Sequence, residues 1–449
     1  MTTFNPNDYQ KFEYLSYDLN YSTGELLLRY RISGKATPID FTETLHFPIS
    51  QYNDGNNQVV DALARLVFLA AGISYYKVAA PRFIHIFTPI TAEERDFLIE
   101  LYRNGLTEFA YVNNLPQSLN PQLKVDHLIT PNPQALQHIE NLQPLVPVGG
   151  GKDSIVTIEA LRSSGFAPTL FSVNSYAPIE RTVERSHLPH IIVRRALSAE
   201  LIYINETGAL NGHVPVTVLN SLIALLAAVL SGYKVVVFSN ERSASEGNTV
   251  WQGIEVNHQW SKGIVFEKQL QYLLKQVVSP DLQYFSLLRP FSELRIARQF
   301  AKLTQYHDVF TSCNHAFYLD PDKRRNWCGH CDKCRFVFLM LAPYLSRQNL
   351  VKIWDKDLLA DGAQLGGFRE LLGISGHKPL ECVGEIEESR LALMLLSQSD
   401  EWKEEPMVKT LLSDLPVDAL PTSHQQQEVF ATGEHMVPSK FYAALAEIK

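Results

Sequence analysis

Val146-Pro147-Val148-Gly149-Gly150-Gly151-Lys152-Asp153-Ser154 is the stretch that decides the predicted fold of this chain. The apolar residues before the glycines predict a buried parallel strand, and apolar residues at helical spacing from 155 to 161 predict a helix after them. A strand, a glycine turn and a helix in this order present free backbone N–H groups to a phosphate at the helix N-terminus. Asp153 and Ser154 are expected where a helix N-cap and a metal or phosphate ligand would be useful. The alternative is an ordinary glycine turn of an α/β domain.

Strand and helix patterns alternate after this turn. Strands are predicted over 169–174, 191–193, 234–238 and 284–287, and helices over 215–230, 266–277 and 292–303, the last with Ser292 as its N-cap. Such alternation predicts an α/β fold with a doubly wound parallel sheet. Ligands then bind beyond the carboxyl ends of the strands, which is the edge where the glycine turn lies.

The length of 449 residues suits two or three domains, and we predict three parts. Residues 1–143 are expected to form a separate α+β domain, because a hairpin signal at 22–24 joins two alternating strands. A stretch rich in Pro and Asn, 114–133, is predicted to be the linker. Residues 144–350 are expected to form the domain of the glycine turn, and 351–449 a mostly helical C-terminal region.

Composition limits the expected partners and location. The formal net charge of −8 argues against general binding to nucleic acid, which requires a basic surface. The N-terminus lacks a basic region followed by an apolar core, so no signal peptide is predicted. The most apolar segment, 214–230, is short for a membrane span and predicts a buried helix, so no membrane partner is expected. Five cysteines without a paired framework indicate a reducing, cytoplasmic location.

Four cysteines are spaced like metal ligands. Cys328, Cys331 and Cys334 form two overlapping C-x-x-C pairs, and Cys313 lies upstream of them. Four thiolates suit a tetrahedral zinc ion with no open position, so the metal would be structural. The same spacing suits an iron–sulfur cluster, which stays open as the alternative. A metal here would fix the helix that is predicted over 332–344.

Polar side chains are concentrated in residues 239–248, directly after the predicted strand at 234–238. Arg242 could bind a carboxylate or a phosphate through two parallel hydrogen bonds. Glu241 or Glu246 could hold Mg²⁺ or transfer a proton. His258, further along the chain, is a candidate for proton transfer because an unperturbed histidine titrates near neutral pH. An exposed polar loop and a structural histidine are the alternatives.

A basic cluster follows the predicted strand at 169–174 in this otherwise acidic chain. It consists of Arg181, Arg185, His187, His190, Arg194 and Arg195. A solvated surface is one interpretation, and a site for a ligand with several negative charges is the other.

The glycine turn resembles the Ser-Gly-Gly-x-Asp-Ser loop of the ATP pyrophosphatase (PP-loop) superfamily, with Gly149 in place of the first serine. It lacks the glycine spacing and the hydroxyl residue after the lysine that a Walker motif requires. Two further motifs narrow the resemblance, Glu-Arg-Ser-Ala-Ser-Glu-Gly-Asn at 241–248 and Val-Asn-His-Gln at 256–259. With these, the chain resembles over nearly its whole length the ATP-dependent UDP-N-acetylmuramoyl-L-alanyl-L-glutamate epimerases of peptidoglycan synthesis.

This resemblance implies an adenine nucleotide α-hydrolase-like (PP-loop) fold and an isomerase that uses ATP and Mg²⁺. The substrate would be UDP-MurNAc-L-Ala-L-Glu, whose terminal L-Glu is inverted to D-Glu through an acyl-adenylate, with release of AMP and pyrophosphate. A functional link is implied to a ligase that adds L-Glu to UDP-MurNAc-L-Ala. The cysteine cluster is similar to the one in 7-cyano-7-deazaguanine synthases, and this favours structural zinc.

The resemblance also assigns roles to residues of the quoted motifs. The ATP phosphates would be held by the glycine turn and the residues that flank it, Gly149, Gly150, Gly151, Lys152 and Ser154. Asp153 would hold Mg²⁺, and Arg242 would bind a substrate carboxylate. From chemistry and position alone, the pair that transfers the proton is expected among His258, Glu246 and Lys262, and the basic cluster is a candidate to contact the UDP diphosphate.

Two other functions stay open at the level of sequence. One is another PP-loop enzyme, such as a ligase similar to the 7-cyano-7-deazaguanine synthases. The other is a nucleotide-binding protein without enzymatic activity.

Overall fold

The computed structural model describes residues 4–49, 54–318 and 321–449. Its strands are β1 (Tyr9–Asn20), β2 (Glu25–Gly34), β3 (Ile39–His46), β4 (Phe83–Ile86), β5 (Ile90–Thr91), β6 (Gln122–Val125), β7 (Leu128–Ile129), β8 (Leu145–Pro147), β9 (Thr169–Val173), β10 (His190–Ala196), β11 (Val235–Phe238), β12 (Thr249–Trp251), β13 (Ile254–Val256) and β14 (Gln283–Ser286).

The α-helices are α1 (Asn57–Ala71), α2 (Ile73–Tyr76), α3 (Ala92–Gly105), α4 (Thr107–Asn113), α5 (Lys152–Ser163), α6 (Ala177–Ser186), α7 (Ala199–Asn205), α8 (Val216–Leu230), α9 (Ile264–Leu273), α10 (Glu293–Phe300), α11 (Asp332–Leu341), α12 (Arg347–Trp354), α13 (Leu365–Leu371), α14 (Ile386–Gln398), α15 (Pro406–Asp414), α16 (Ser423–Phe430) and α17 (Tyr442–Ala446).

Five parallel strands form the half of the main sheet that carries the glycine turn. Their spatial order is β14-β11-β8-β9-β10, and each neighbouring pair is parallel. β8 comes first of the five along the chain, so the direction of strand order reverses between β8 and β11. Such a switch point opens a crevice outside the carboxyl ends of the two strands. The glycine turn leaves β8 at this crevice.

Helices cover both faces of this parallel half. Residues along the strands alternate between two apolar cores, with Leu145 and Val236 in the first and Val146 and Val235 in the second. The first core includes α8, and the second includes α5, α10 and α11. Strands that are apolar on both sides require such cover. The α/β class is confirmed, and each strand and helix predicted between 169 and 303 has its counterpart.

The sheet as a whole is mixed, so the predicted parallel sheet describes one half of it. β3 pairs antiparallel with β10, with Leu45 opposite Arg195, and the sheet continues in the order β3-β2-β1-β4-β6. Residues on both sides of 143 therefore share one ten-stranded sheet and one apolar core. Two edge strands pair through backbone N–H and C=O groups, which every sequence has, so no side-chain pattern predicts the pairing of β3 with β10. The boundaries at 143 and 350 stay predictions.

A buried ion pair fixes this joint. Arg195 Nε lies 2.7 Å from Glu43 Oε1, and Glu43 is fully buried. Tyr75 donates a hydrogen bond to the second oxygen of Glu43 at 2.8 Å. Arg195, which the sequence places in the basic cluster, is therefore engaged between β10 and β3 in this structure.

The segments predicted as linker and C-terminal region are both packed against the sheet. β6 lies within the predicted linker and pairs in parallel with β4, with Phe83 opposite Gln122. The region after 350 contains α13 to α17 and the second half of α12, and its apolar residues, including Phe368 and Leu393, belong to the second core.

One helical stretch, Asp54–Tyr76, is long and apolar enough to cross a membrane by length and composition. Within its most apolar window, 89% of the residues are buried inside the fold, as in a core helix. The apolar segment that the sequence predicts as a buried helix forms α8, whose residues from Leu222 to Leu230 are at most 1% exposed.

Candidate active site

A cavity of about 400 Å³ lies at the switch point, beyond the carboxyl ends of β8, β9 and β11. Its volume is within the range of small-molecule sites. Apolar side chains such as Phe171 and Ile179 form part of its wall, and hydroxyl and amide groups of Ser172, Ser239 and Asn240 line the rest together with the glycine turn. The cavity therefore lies where the sequence predicts the ligand.

The glycine turn requires glycine at its second position, and its third position is closely packed. Gly150 has φ +84°, and a Cβ there would lie 2.7 Å from Pro178 Cβ. A Cβ on Gly151 would lie 2.9 Å from Ser312 Oγ. At Gly149 a Cβ would meet no atom of the described residues within 4 Å, and this residue lines the cavity. A serine at 149, as in the PP-loop pattern, would therefore fit.

Helix α5 begins earlier than the sequence predicts, and its N-cap is Gly151 rather than Asp153 or Ser154. Ser154 Oγ donates back to the carbonyl oxygen of Gly151 at 3.1 Å. Asp153 and Ser154 lie in the first helical turn and line the cavity. The free N–H groups of this turn give the cavity wall a partial positive charge, which favours an anionic ligand.

Lys152 is held by carboxylates and is not among the residues that line the cavity. It is 2% exposed, and its Nζ lies 2.5 Å from Asp153 Oδ1 and within bonding distance of Glu293 Oε2. Burial lowers the pKa of Lys152, but these two carboxylates outweigh burial and raise this pKa well above its usual range. A contact between Lys152 and ATP phosphates stays a prediction.

Three carboxylates converge beside Lys152. Oxygen atoms of Asp153, Glu241 and Glu293 all lie within 4.8 Å of one another. Burial, together with the charges of Asp153 and Glu241, raises the pKa of Glu293 above its usual range despite Lys152. Carboxylate oxygens are the ligands that Mg²⁺ prefers. The cluster therefore offers the oxygen ligands of a divalent cation at the cavity edge, with Lys152 and Lys262 as nearby cations.

A buried arginine holds the polar loop against the segment that carries His258. Arg289 is 1% exposed, and its Nε lies 3.0 Å from Glu267 Oε2. Its guanidinium also donates to the carbonyl oxygens of Glu241, at 2.6 Å, and of Lys262. Arg289 thereby fixes the backbone of two residues that the sequence singles out.

His258 and Lys262 meet in a second group of titratable side chains. His258 Nδ1 lies 2.5 Å from Glu108 Oε2, and Lys262 Nζ donates to Cys382 Sγ at 3.1 Å. Burial lowers the pKa of His258, but hydrogen bonds with Cys382 and Glu108 outweigh it and raise this pKa to about 9. The ring of His213 lies 4.1 Å from that of His258, and burial and nearby positive charges lower the pKa of His213 to about 3.

Glu246 and Arg242, the other candidates of the polar loop, contact the C-terminal region. Glu246 Oε1 lies 3.5 Å from Lys378 Nζ. Arg242 Nη1 donates to the carbonyl oxygen of Glu428 at 3.1 Å and its Nε lies 4.0 Å from Glu385. In this structure the loop is therefore connected to α16 and to the start of α14. Proton transfer by Glu246 and carboxylate binding by Arg242 stay predictions.

The basic cluster is dispersed. Arg185 pairs with Asp308 at 2.8 Å, and Arg181 donates to Asn326 Oδ1 at 2.6 Å. His187 ends α6 in a left-handed conformation with φ 55°. The remaining two, His190 and Arg194, line a separate cavity of about 780 Å³ that Glu180 and Glu184 also line. These residues therefore do not form one uniformly basic surface.

The four predicted cysteine ligands lie close together. Their four Sγ atoms all lie within 4.8 Å of one another. The sulfurs of Cys313 and Cys331 are 3.9 Å apart, and those of Cys328 and Cys334 are 3.7 Å apart. Four sulfurs about 2.3 Å from one tetrahedral ion would be about 3.8 Å apart. The group therefore fits a single tetrahedral metal ion.

Comparison with known proteins defines the family. The family model of the MurL N-terminal domain matches residues 3–287, and that of the MurL C-terminal domain matches residues 309–427. The chain belongs to the MurL family. Residues 288–308, between β14 and Cys313, lie outside both matches.

Curated relatives of this MurL-family chain carry the name UDP-N-acetyl-alpha-D-muramoyl-L-alanyl-L-glutamate epimerase. The protein from Micromonospora sp. is 44% identical over 97% of this chain and 98% of its own length. Those from Salinispora tropica and Xanthomonas oryzae pv. oryzae are 43% and 40% identical, over 97% and 98% of this chain and 96% and 97% of theirs. No solved structure matches the chain. The family predicted from the motifs is confirmed.

Sequence reasoning missed several residues of this MurL-family site, namely Glu108, Arg289, Glu293 and Cys382. Glu293 follows Ser292, the correctly predicted N-cap of α10, just beyond the carboxyl end of β14. Its place on the ligand edge of the sheet is a signal that could have found it. Cys382 lies outside the central sheet, and only the fold brings it to Lys262.

Proposed function

We propose that this chain is an ATP-dependent isomerase that inverts the terminal L-Glu of UDP-MurNAc-L-Ala-L-Glu to D-Glu. The observation that carries this proposal is similarity over nearly the whole chain to relatives named as epimerases of this compound. The substrate requires an earlier ligase reaction that joins L-Glu to UDP-MurNAc-L-Ala. Both reactions belong to the cytoplasmic part of cell-wall synthesis, and neither involves nucleic acid or a membrane partner.

The nucleotide in this proposal binds in the cavity at the switch point, in the manner of a PP-loop enzyme. Three features support this: the glycine turn, the N-terminus of α5, and the position of both beyond the carboxyl end of β8. The adenine and ribose would lie against the wall that includes Phe171 and Ile179. The phosphates would contact the N–H groups after Gly149 and the hydroxyl of Ser154.

Mg²⁺ would be held by Asp153, Glu241 and Glu293. When bound, the ion neutralises phosphate charge and favours departure of pyrophosphate. Lys152 would hold two of these carboxylates in place through its ion pairs with Asp153 and Glu293. Arg289 would hold the backbone of Glu241 in place.

Activation with ATP makes the inversion chemically reasonable. A free carboxylate resists loss of the adjacent Cα proton, because a second negative charge would form beside the first. Attack of this carboxylate on the α-phosphorus of ATP releases pyrophosphate and gives an acyl-adenylate that withdraws electrons from Cα. A base can then remove the proton, and hydrogen-bond donors stabilise the enolate oxygen. Return of a proton to the opposite face and hydrolysis give the D-Glu product and AMP.

We further propose zinc for the group of Cys313, Cys328, Cys331 and Cys334. The sulfur separations support a single ion, whereas the cysteines of a four-iron cluster bind different iron atoms and stand further apart. With all four positions filled by the protein, the ion would be structural and would fix the start of α11. Metal analysis of the purified protein is expected to give about one zinc per chain; iron with acid-labile sulfide would contradict this.

The function is tested by incubating the enzyme with UDP-MurNAc-L-Ala-L-Glu, ATP and Mg²⁺ in D₂O. We expect D-Glu in the product, deuterium at its Cα, and equal amounts of AMP and pyrophosphate. Inversion without ATP, or AMP release without deuterium at Cα, would refute the proposal.

Asp153→Asn is the matching variant for the nucleotide site. It is expected to lose AMP release, because it removes one carboxylate from the cation site and one of the two partners of Lys152. The control is Asp40→Asn, since Asp40 is an exposed acid whose partner is Arg31 in the other half of the sheet. Its activity is expected to equal that of the wild type.

A further inference from the structure

Cys382 lies in the segment between α13 and α14, between the nucleotide cavity and His258. The residue before it, Glu381, accepts a hydrogen bond at 2.7 Å from Asn314, which lines the cavity. As a whole residue, Cys382 is partly exposed. Cys382 is not one of the predicted metal ligands, and formation of the acyl-adenylate does not require it.

The family motifs hold this segment in place. Asn248 donates to the carbonyl oxygen of Pro379 at 2.6 Å, and its Oδ1 accepts the backbone N–H of His258 at 2.8 Å. Gln259 donates to the carbonyl oxygen of Val383 at 3.1 Å. Asn248 and Gln259, which belong to the motifs at 241–248 and 256–259, thus fix the backbone on both sides of Cys382.

Several cationic side chains surround the thiol. Lys262 Nζ donates to Cys382 Sγ at 3.1 Å, and His258 is a second neighbouring positive charge. Lys333, which lines the nucleotide cavity, is a third neighbouring positive charge. Burial raises the pKa of Cys382, but Lys262, Lys333 and His258 outweigh burial and lower this pKa well below its usual range. A thiolate in such surroundings is available as a base.

A second observation points to a ligand at this place. Gln259 is 2% exposed, and while its Nε2 bonds Val383, its Oε1 is buried with no partner among the described residues. A buried polar atom without a partner is costly and calls for an explanation, and a ligand that supplies the missing partner is one. The amide N–H of the substrate's terminal glutamate, attached directly to the reacting Cα, is a donor of the kind this oxygen lacks.

We propose that Cys382 Sγ is one of the two groups that exchange the Cα proton of the activated glutamyl residue. This rests on the proposed function. The sulfur takes the Cα hydrogen as a proton and becomes a thiol, and the C–H electron pair moves to the acyl oxygen of the adenylate. A second acid on the opposite face supplies the new Cα proton. His258 and Lys262 are positioning residues that keep the sulfur charged, and Gln259 orients the substrate amide.

The test compares Cys382→Ser and Cys382→Ala with the wild type in D₂O, starting separately from the L-Glu and the D-Glu epimers. AMP release is expected to stay within about threefold of the wild type, which shows that the variants fold and activate the substrate. Inversion is expected to fall by about 10³-fold or more. Cα deuteration is expected to disappear from one epimer and persist in the other, because a single base serves one face.

Four results would overturn the role of Cys382. They are inversion that survives in the variants, loss of AMP release, loss of deuteration from both epimers, and a thioester of Cys382 trapped by acid quench of the wild type. The last would make the sulfur a nucleophile instead of a base. Absence of AMP from the wild type would overturn the proposed function itself, which the same assay detects separately.

Alkylation gives an independent readout. Iodoacetamide should modify Cys382 in the wild type, located by peptide mapping, and UDP-MurNAc-L-Ala-L-Glu should slow this modification at least tenfold. Equal labelling with and without substrate would contradict a place for the sulfur beside Cα.

Discussion

Each half of the sheet has a buried ion pair that joins two of its own helices, and the two pairs differ in their surroundings. In the parallel half, Lys152 at the start of α5 pairs with Glu293 at the start of α10. In the other half, Arg65 of α1 pairs with Glu94 in the first turn of α3 at 2.8 Å. All four residues are at most 8% exposed. In both halves, a buried ion pair therefore holds one helix against another.

The surroundings of the two pairs separate function from stability. Glu94 also caps its own helix, since one of its oxygens accepts the backbone N–H of Thr91 at 2.7 Å. Its hydrogen-bonding capacity is thus used within the fold. Glu293 instead faces two further carboxylates, Asp153 and Glu241, next to a cavity. A buried charge whose neighbours are like charges indicates a place for a ligand, whereas a fully bonded one indicates packing.

The largest effect is expected from Glu293→Gln. AMP release should fall by about 10³-fold, or about 4 kcal/mol, because the cation site loses a carboxylate and Lys152 loses a partner. Initial rates measured across a Mg²⁺ titration check this, and the half-saturating Mg²⁺ concentration should rise. Glu94→Gln is the matched control, with AMP release per folded molecule unchanged. Equal activity losses in the two variants would remove the distinction between the pairs.

Arg65→Met tests the other side of the comparison. It leaves the fully buried Glu94 without its guanidinium, which should cost about 3–5 kcal/mol of unfolding free energy. AMP release per folded molecule should stay within about twofold. Urea unfolding followed by circular dichroism measures the loss. The control is Arg31→Met, because Arg31 pairs with Asp40 on the surface and should cost under about 1 kcal/mol. A loss at Arg65 no larger than at Arg31 would contradict the argument.

The parallel half was predictable from sequence because its signals are local. The apolar run at 145–148, the three glycines and the Ser292 cap each report a structure formed by neighbours in the chain. The same locality explains the correct grouping of the cysteines, three of which lie within seven residues. These are the features that periodicity, turn chemistry and ligand spacing encode.

What could not be predicted depends on contacts between distant residues. The edge pairing of β3 with β10 carries no side-chain pattern. Lys152 has the sequence position of a phosphate ligand, and only the packing of α5 against α10 brings Glu293 to it. Cys382 lies 120 residues from Lys262, its hydrogen-bond partner. Polar partners at such separations are set by the tertiary fold, so a motif identifies a site but not all its members.

A smaller effect is expected from His258→Gln, and it depends on pH. The folded-state pKa of His258 is raised to about 9 against about 6.5 in an unfolded chain, so the protonated ring stabilises the folded state. This contribution, up to about 3 kcal/mol, is complete below pH 6.5 and is lost as the pH rises through about 9. Melting curves from pH 6 to 10 should therefore show wild type and variant converging at high pH.

The exposed His46, which lies 3.7 Å from Glu25, supplies the control for that pH series. His46→Gln should change stability by less than about 0.5 kcal/mol at every pH, because both side chains are largely in solvent. A His258→Gln difference that does not shrink with rising pH would contradict the ion pair with Glu108.

The smallest effect is expected from Arg185→Ala, which tests the basic cluster as a diphosphate site. Arg185 already forms two hydrogen bonds with Asp308, at 2.8 and 2.9 Å, and burial of this pair is slight. Removing it should change KM for UDP-MurNAc-L-Ala-L-Glu by less than about twofold and stability by under about 1 kcal/mol. Asp308→Ala gives the opposite test, because it removes the carboxylate partner of the guanidinium and leaves its hydrogen bond to the carbonyl oxygen of Gln305. If Asp308→Ala lowered KM while Arg185→Ala raised it, Arg185 would bind the diphosphate, and Asp308 would compete with the substrate for the guanidinium. Unchanged KM in both variants would mean that other residues bind the diphosphate of the substrate. The Arg185–Asp308 pair would then be a surface ion pair without a role in binding, like that of Arg31 and Asp40.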